Sequence, residues 1–431
     1  MRAKLSTMFQ SLRVRNFRIF ASGQLVKLIG VWMMHIAQDW LVLDLSDDSA
    51  TALGVVIALQ FTPVLLLTLL SGRLADRYDK RTLLLIANAA WSALALMMSL
   101  LVLTGVVELW HVFAFAGLLG VAQALETPVR QAFVSELVST PLLPNALSLS
   151  AATFNTARII GPALAGLGIA AFDVGPVFLI SALASLSPLV GLMRMRVAEL
   201  YRHKRTGAAE RDSGRVVDGL RYVWQRPDLL LPLALMLVLG LVLFNFQLTL
   251  AALAKTVFNT EAASFGLFTT ALAVGALAGA LASGGRRSRP SAYRVLGAAL
   301  AFSALSTLVG LAPLYWLVIV LLVPTGFFMV YFAQAANQRV QLGTDPAFRG
   351  RVMSLWVLVF LGTNPIGAPM VGWVAEHFGA GASIWLGGLI AFVTAKLALI
   401  WQLRRTGSRI RLRLRPLPRF YVMQEMRDAR L

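Results

Sequence analysis

Among its 431 residues the chain has no cysteine, which excludes disulfides and thiolate metal centres. Acids are scarce: 20 Asp and Glu stand against 39 Lys and Arg, and charged residues make up only 14% of the chain. A soluble domain is about 25% charged and about 45–50% apolar. A chain that is 58% hydrophobic, with mean hydropathy +0.73, does not belong to that class. Also missing are a phosphate-cradling G-x-x-x-x-G-K-[ST] loop, an H-E-x-x-H pair and any paired-carboxylate or nucleophile motif in a polar segment. Hydrolysis therefore cannot power the protein by itself. No catalytic residue, metal or cofactor is expected.

What the sequence has in abundance is apolar runs of membrane length. A helix crossing about 30 Å of hydrocarbon needs roughly 20 apolar residues. Twelve runs of that kind lie near 17–43, 51–71, 82–104, 109–130, 146–171, 174–194, 229–254, 264–283, 292–312, 314–336, 351–375 and 382–403. They are continuous, where the strands of a membrane barrel would alternate. The first run carries charge and lacks a small-residue cleavage site, so it reads as a retained helix. The expectation is an all-α polytopic membrane protein with 12 transmembrane helices.

The net charge of +19 suggests nucleic-acid binding until the cations are placed. Five lie at the N-terminal end up to Arg18, and alternate connections hold four at 72–81, one at 130, nine at 194–226, four at 286–294 and three at 339–351. Nine more follow from Arg404. Only Lys27, Arg158 and Lys396 lie inside runs, and only Lys255 lies at the opposite side. The opposite connections, such as "DLSDDSA" and "AFDVGP", are acidic or uncharged. This is the positive-inside pattern, with both termini cytoplasmic and no nucleic-acid partner. The basic tail is expected to meet anionic lipid headgroups, at about 1 kcal/mol per cation near the surface.

The longest polar stretch divides the runs six and six. The implied organisation is a six-helix half at 1–194, a basic cytoplasmic linker at 195–228, a second half at 229–403 and a basic tail at 404–431. A shift of 206 residues brings Ser148, Leu149, Gly161 and Gly166 onto Ser354, Leu355, Gly367 and Gly372. A repeat of six helices keeps its orientation, so the halves are parallel copies.

Two stretches carry a family likeness. "GRLADRYDKR", residues 72–81, resembles the G-x-L-A-D-R-x-G-R-[RK] signature of major facilitator transporters, matching at Gly72, Leu74, Asp76, Arg77, Lys80 and Arg81, with Asp79 where Gly usually stands. "NTARIIGPALAG" is similar to the Gly-Pro fifth-helix motif of antiporters in that superfamily, with Ala165 where a second Gly often stands. With "NFRIFASGQLVKLIGVWMMHIAQDWLVL" and "ETPVRQAF", the chain resembles the exporter subgroup that handles enterobactin and macrolides. The resemblance implies the major facilitator fold. It also implies a cytoplasmic latch in which Asp76 joins Arg77, Lys80 or Arg81, with Glu126 as the acidic counterpart.

Polar residues inside spans are the remaining signal, because a charge there is costly and faces the protein interior. On the first helix Gln24, Lys27, His35, Gln38 and Asp39 fall within a wedge of about 120°, so they can line one cavity. Lys27 is near mid-depth, and Asp39 is either an interfacial anion beside Trp40 or a protonatable coupling group. His35 is a packing residue or a proton relay. On the fifth helix Asn155, Arg158, Pro162 and Gly166 share a stripe of about 80°. Gly161 and Gly166 permit close packing or, with Pro162, a bend. The aligned second-half site has Asn364, Pro365 and Pro369 but no cation. The resemblance implies a secondary active exporter in a plasma membrane, the bacterial inner membrane in particular. Its substrate is a small amphipathic molecule, siderophore-like or drug-like, and protons are the coupling ion. A lysophospholipid flippase and a non-transporting sensor or scaffold are the alternatives.

Overall fold

The computed structural model describes residues 9–201, 216–284, 288–346, 348–413 and 419–424. Its first six long helices are α1 Arg15–Leu45, α2 Ala50–Arg77, α3 Lys80–Leu103, α4 Leu109–Leu137, α5 Leu143–Phe172 and α6 Val174–Arg194. A short amphipathic helix, α7 Val216–Trp224, precedes six more: α8 Pro227–Val257, α9 Ala262–Gly284, α10 Ala292–Leu311, α11 Tyr315–Gly343, α12 Arg349–Phe378 and α13 Ala380–Thr406. Among the described residues eleven helices are long and apolar enough to cross a membrane. The remaining long helix, α5, has 30 residues, but Ser, Thr and Asn residues and Arg158 dilute its apolar character. This is the expected architecture of two six-helix halves.

Several helices run past their apolar stretches. α2, α4 and α11 continue to Arg77, Leu137 and Gly343, one to two turns beyond the apolar ends. All three extensions lie at the face that also carries the first and last helix termini, the terminal face. Local chemistry sets the boundaries. Ser49 caps α2 by accepting from the amide of Ala52 at 3.1 Å. Asp79 caps α3 by accepting from the amide and hydroxyl of Thr82 at 2.9 and 3.0 Å. The Asp that replaces the signature's glycine therefore starts the third helix. α6 is interrupted at Leu186, between Ser185 and the Ser187-Pro188 pair. The last turn of α8, Leu253–Val257, is a π turn.

Within the first half α1 packs on α5 and α6, and α4 packs on α2 and α3; in the second, α11 packs on α9 and α10, and α13 on α10. Two seams join the halves, α2 along α12 and α5 along α9. The 206-residue shift carries Leu143–Phe172 onto Arg349–Phe378, end to end, so α5 and α12 are repeat-equivalent. The two seams are thus related by the repeat. Both close at the face opposite the termini and depend on small residues. A Cβ added to Gly54 would lie 2.6 Å from the Ala368 carbonyl oxygen and 2.7 Å from Pro369 Cα, and one on Gly266 would lie 2.5 Å from the Pro162 carbonyl oxygen. Gly161 and Gly166 serve this close packing, the first against Ile29 and Trp32 of α1 and the second against Ala262 and Ala263 of α9.

The fold is nearly all helical, and one described element outside the bundle is not. After α13, β1 Ser408–Arg413 and β2 Arg419–Gln424 pair antiparallel, with Ser408 opposite Gln424 and Arg413 opposite Arg419. The stretch "SRIRLR" alternates with period two, the pattern of a strand.

Candidate functional site

A cavity of about 630 Å³ lies between the halves. The first half supplies Trp32 and Ile36 from α1 and Arg158 and Pro162 from α5. The rest comes from the second half: Phe244, Phe246 and Gln247 on α8, Thr269 and Leu272 on α9, Met329, Gln334 and Asn337 on α11, and Met353, Trp356 and Phe360 on α12. Among the described residues that line it, Arg158 is the only charged one. Its guanidinium has no hydrogen-bond or ion-pair partner among the described residues. Trp32 meets Phe154 edge to face at 5.9 Å, which sets the aromatic wall beside Arg158.

The described hydrogen bonds and ion pairs that join the halves lie at cavity level or beyond it, toward the opposite face. Gln247 donates to the Asp39 carboxylate at 2.7 Å, and Asp39 is buried. Thr270 donates to the Ile159 carbonyl at 3.3 Å. Lys255, the lone cation of the opposite side, pairs with Asp44 and, at 2.7 Å, with Asp48, and lies over the Trp40 ring. Glu376 accepts from the Ser49 hydroxyl at 2.6 Å and the Thr51 amide at 2.9 Å, at the start of α2. These contacts close the cavity on the opposite side.

The expectation that the polar wedge of α1 lines one cavity does not hold. Lys27 is 3% exposed and lies inside the first half, bonded to Asn88 of α3 at 2.8 Å, 3.4 Å from Glu126 and 5.5 Å from the Trp91 ring. Arg130 lies 3.2 Å from the same Glu126 oxygen but does not aim its Nε–H at it. Gln24 and Gln38 are buried, and neither amide atom of Gln24 has a hydrogen-bond partner among the described residues. His35 packs edge to face on Trp32 at 5.8 Å. Asn155 returns its amide to the Ala151 carbonyl of its own helix at 2.8 Å, and neither it nor Asn364 lines the cavity. A full turn of helix separates groups at similar angles, so one wedge serves an ion cluster at one depth and the seam at another.

Glu126 is equally displaced from the expected latch, because its cationic neighbours are Lys27 and Arg130. Lys80 pairs instead with Glu136 of α4 at 2.6 Å, and Arg81 donates to the Leu192 carbonyl at 2.9 and 3.0 Å. Arg77 lies over the Tyr78 ring. Gly72 and Asp76 belong to α2, and the Asp76 side chain lies outside the described residues. On the second half Arg226 grips Asp228 at 3.1 and 3.3 Å, and Arg289 reaches the same carboxylate at 2.7 Å. The Asp228 hydrogen bonds hold the Arg226 guanidinium above its usual range. Tyr222 of α7 stacks on Phe348 at 4.4 Å and donates to Asp345 at 2.7 Å. The described contacts of Lys80 and Arg81 tie helices within the first half, and this knot ties elements of the second half and its preceding helix.

Sequence reasoning missed Gln247, Gln334, Asn337, Glu136 and Asn88. Gln334 and Asn337 had a readable signal, since they interrupt the apolar run "VPTGFFMVYFAQAANQ" at a spacing that places them on one helix face.

Among the described residues twelve long helices in two repeat-related halves surround a central cavity, and with the family match below this makes the chain a major facilitator transporter, a multi-pass membrane protein and not an enzyme. The family model described as a transmembrane secretion effector matches residues 6–429, and the chain belongs to that family. It is 24% identical to the staphyloferrin A transporter of Staphylococcus aureus over 84% of this chain and 90% of that protein. It is 25% identical to the enterobactin exporter EntS of Escherichia coli over 90% of this chain and 92% of that one. Among solved structures, a bacterial homologue of the human lysosomal transporter Spinster superposes with a TM-score of 0.68, at 13% identity, over 89% of this chain and 94% of that chain.

Proposed function

We propose that the protein is a proton-driven exporter of an amphipathic organic compound, siderophore-like or drug-like, working by alternating access in the bacterial inner membrane. The observation that carries the reading is the central cavity, closed on the side opposite the termini and holding a guanidinium with no protein partner among the described residues. The cation distribution supports cytoplasmic termini, so the cavity faces the cytoplasm in this state, ready to load. The halves divide at 1–194 and 229–403, joined by the basic linker at 195–228, and the basic tail from 404 is the part that meets anionic headgroups at the cytoplasmic face; 202–215 of the linker and 414–418 and 425–431 of the tail lie outside the described residues.

Asp39 is the coupling group of this reading. It is a buried acid on the first half whose described polar partner, Gln247, belongs to the second half and lines the cavity. A proton arriving there changes the tie between the halves, the two-state element that coupling requires. Asp76, Arg77 and Lys80 form the cytoplasmic latch when that side closes, with Glu136 as the acid that holds Lys80. Two assays on proteoliposomes test the reading. Wild-type protein should accumulate cargo against its gradient when a pH gradient is imposed and should exchange cargo without one. Asp39→Asn, which keeps an acceptor for Gln247, should lose the first and keep the second. Accumulation driven by pH in Asp39→Asn would remove Asp39 from coupling, and movement of lysolipids alone would favour a flippase.

A further inference from the structure

The residues around the cavity define its cargo more narrowly, on the footing of the exporter reading. Arg158 offers one positive charge with no protein partner among the described residues. The other buried cations of the first half cannot add to it, because Lys27 and Arg130 face Glu126 and neither lines the cavity. At the closed end an acid, Asp39, lies behind Gln247. The remaining polar positions are neutral. Gln334 and Asn337 lie three residues apart on α11, so both amides present to one side of the cavity. Between these groups the walls are aromatic and thioether, including Trp32, Trp356 and Met329, surfaces that take flat apolar bodies. The volume falls in the range of about 300–1,000 Å³ typical of drug-sized ligands.

From this inventory we infer that the cargo is an amphipathic organic monoanion. One carboxylate or sulfonate pairs with Arg158, a flat apolar body lies between the tryptophans, and neutral hydrogen-bonding groups meet Gln334 and Asn337. Polyanions are rejected. A first anion exchanges water for a guanidinium and a charge-assisted pair. A second would lose its water with no cation to receive it, and near the closed end it would face Asp39, so its desolvation goes uncompensated.

A matched series of pyrene compounds tests the inference on the full-length protein in nanodiscs, because Trp32 and Trp356 are energy donors to a pyrene bound between them. The probes are pyrenebutyrate, its neutral amide and pyrenetetrasulfonate. Pyrenebutyrate should bind about tenfold to hundredfold tighter than the amide, and the tetrasulfonate no tighter than the amide. Arg158→Gln should erase the preference for the monoanion, whereas Arg158→Lys should keep most of it. If Arg158→Gln does not fold, the wild-type ranking and Arg158→Lys still decide. Tighter binding of the tetrasulfonate than of pyrenebutyrate overturns the inference. So does a monoanion preference that persists in folded Arg158→Gln, or failure of every probe to bind. Transport under a pH gradient separates the two readings. Equal movement of pyrenebutyrate and its amide leaves the exporter standing and overturns the monoanion. Arg158-dependent binding of pyrenebutyrate with no movement of any probe does the reverse.

Discussion

Replacing Glu126 by Gln should destabilise the first half more than neutralising either of the cations beside it. Its carboxylate lies 3.4 Å from Lys27 and 3.2 Å from Arg130, with side-chain exposures of 11%, 3% and 18%. Neutralising it leaves the buried Lys27 and the half-buried Arg130 facing each other, and removing one partner of a buried ion pair costs about 3–5 kcal/mol. Lys27→Met is the milder change. Glu126 then keeps Arg130, although that pair lacks hydrogen-bond alignment, and Asn88 loses its donor, an unmade hydrogen bond worth about 1–3 kcal/mol. The double variant restores one acid-free cation with neutral surroundings, so its cost should fall below the sum of the singles by about 1–3 kcal/mol. Reversible unfolding in mixed micelles, read by tryptophan fluorescence, gives the three differences. Additive costs, or Lys27→Met as damaging as Glu126→Gln, would refute this account of the cluster. Any of these variants that folds should keep its affinity for pyrenebutyrate, since neither Lys27 nor Glu126 lines the cavity.

Three other outcomes follow from the same geometry. Cysteines placed at Asp47, Asp173 and Phe378, all exposed at the opposite face, should react with an impermeant thiol reagent from outside the cell, and one at Arg409 should not; reversed labelling sinks the proposed orientation. Lys255→Gln removes a cation that two acids share at the closed seam, each exposed pair being worth about 0.2–1 kcal/mol, so a cysteine at Met329 should become roughly twofold to tenfold more reactive from outside. Unchanged reactivity would show that the seam is held without Lys255. Gly54→Leu forces a side chain against Ala368 and Pro369 in the closed seam, and the same cysteine should then label from outside faster still, whereas a folded variant that labels like wild type would mean the seam tolerates separation.

Much of the fold was legible because a membrane leaves few options for the backbone. Apolar runs of fixed length and asymmetrically placed cations fix the number of spans and the expected topology with no tertiary information. The cavity was legible only in part. Arg158 stood out as a charge in a span. Lys27 stood out for the same reason and belongs elsewhere, because depth and helix angle do not reveal which neighbour a helix face meets. Neighbours decide it: Asn88 and Glu126, 61 and 99 positions away in sequence, surround Lys27. The lining from α8, α11 and α12 is mostly apolar or amide-bearing, and such residues in a span look like ordinary packing until the halves are assembled. The strands of the tail were readable from their alternation, although the same run of cations also suits an irregular segment lying on headgroups.

In the proposed cycle the repeat accounts for the motion, and the departures from the repeat account for the chemistry. Because α5 maps onto α12, the seam of α5 with α9 and that of α2 with α12 are related contacts, and tilting one half against the other opens both together. A symmetric pair of seams cannot choose between cargo and proton. That choice requires residues without counterparts. Position 158 carries Arg and its equivalent, position 364, carries Asn; between α1 and α8 the offset is 212, since Gly161 meets Ile29 where Gly367 meets Leu241, so position 39 carries Asp and its equivalent, position 251, carries Ala. Both ionisable groups of the proposed cycle therefore belong to the first half. The second half answers each with a neutral amide, Gln247 to Asp39 and Gln334 and Asn337 across the cavity from Arg158. An amide donates to a carboxylate and accepts from a protonated one, so it can follow either charge state without carrying a charge of its own. The second half can then tilt past the first in both loaded states without burying an unpaired ion of its own, and the energetic difference between those states falls on Arg158 with its cargo and Asp39 with its proton.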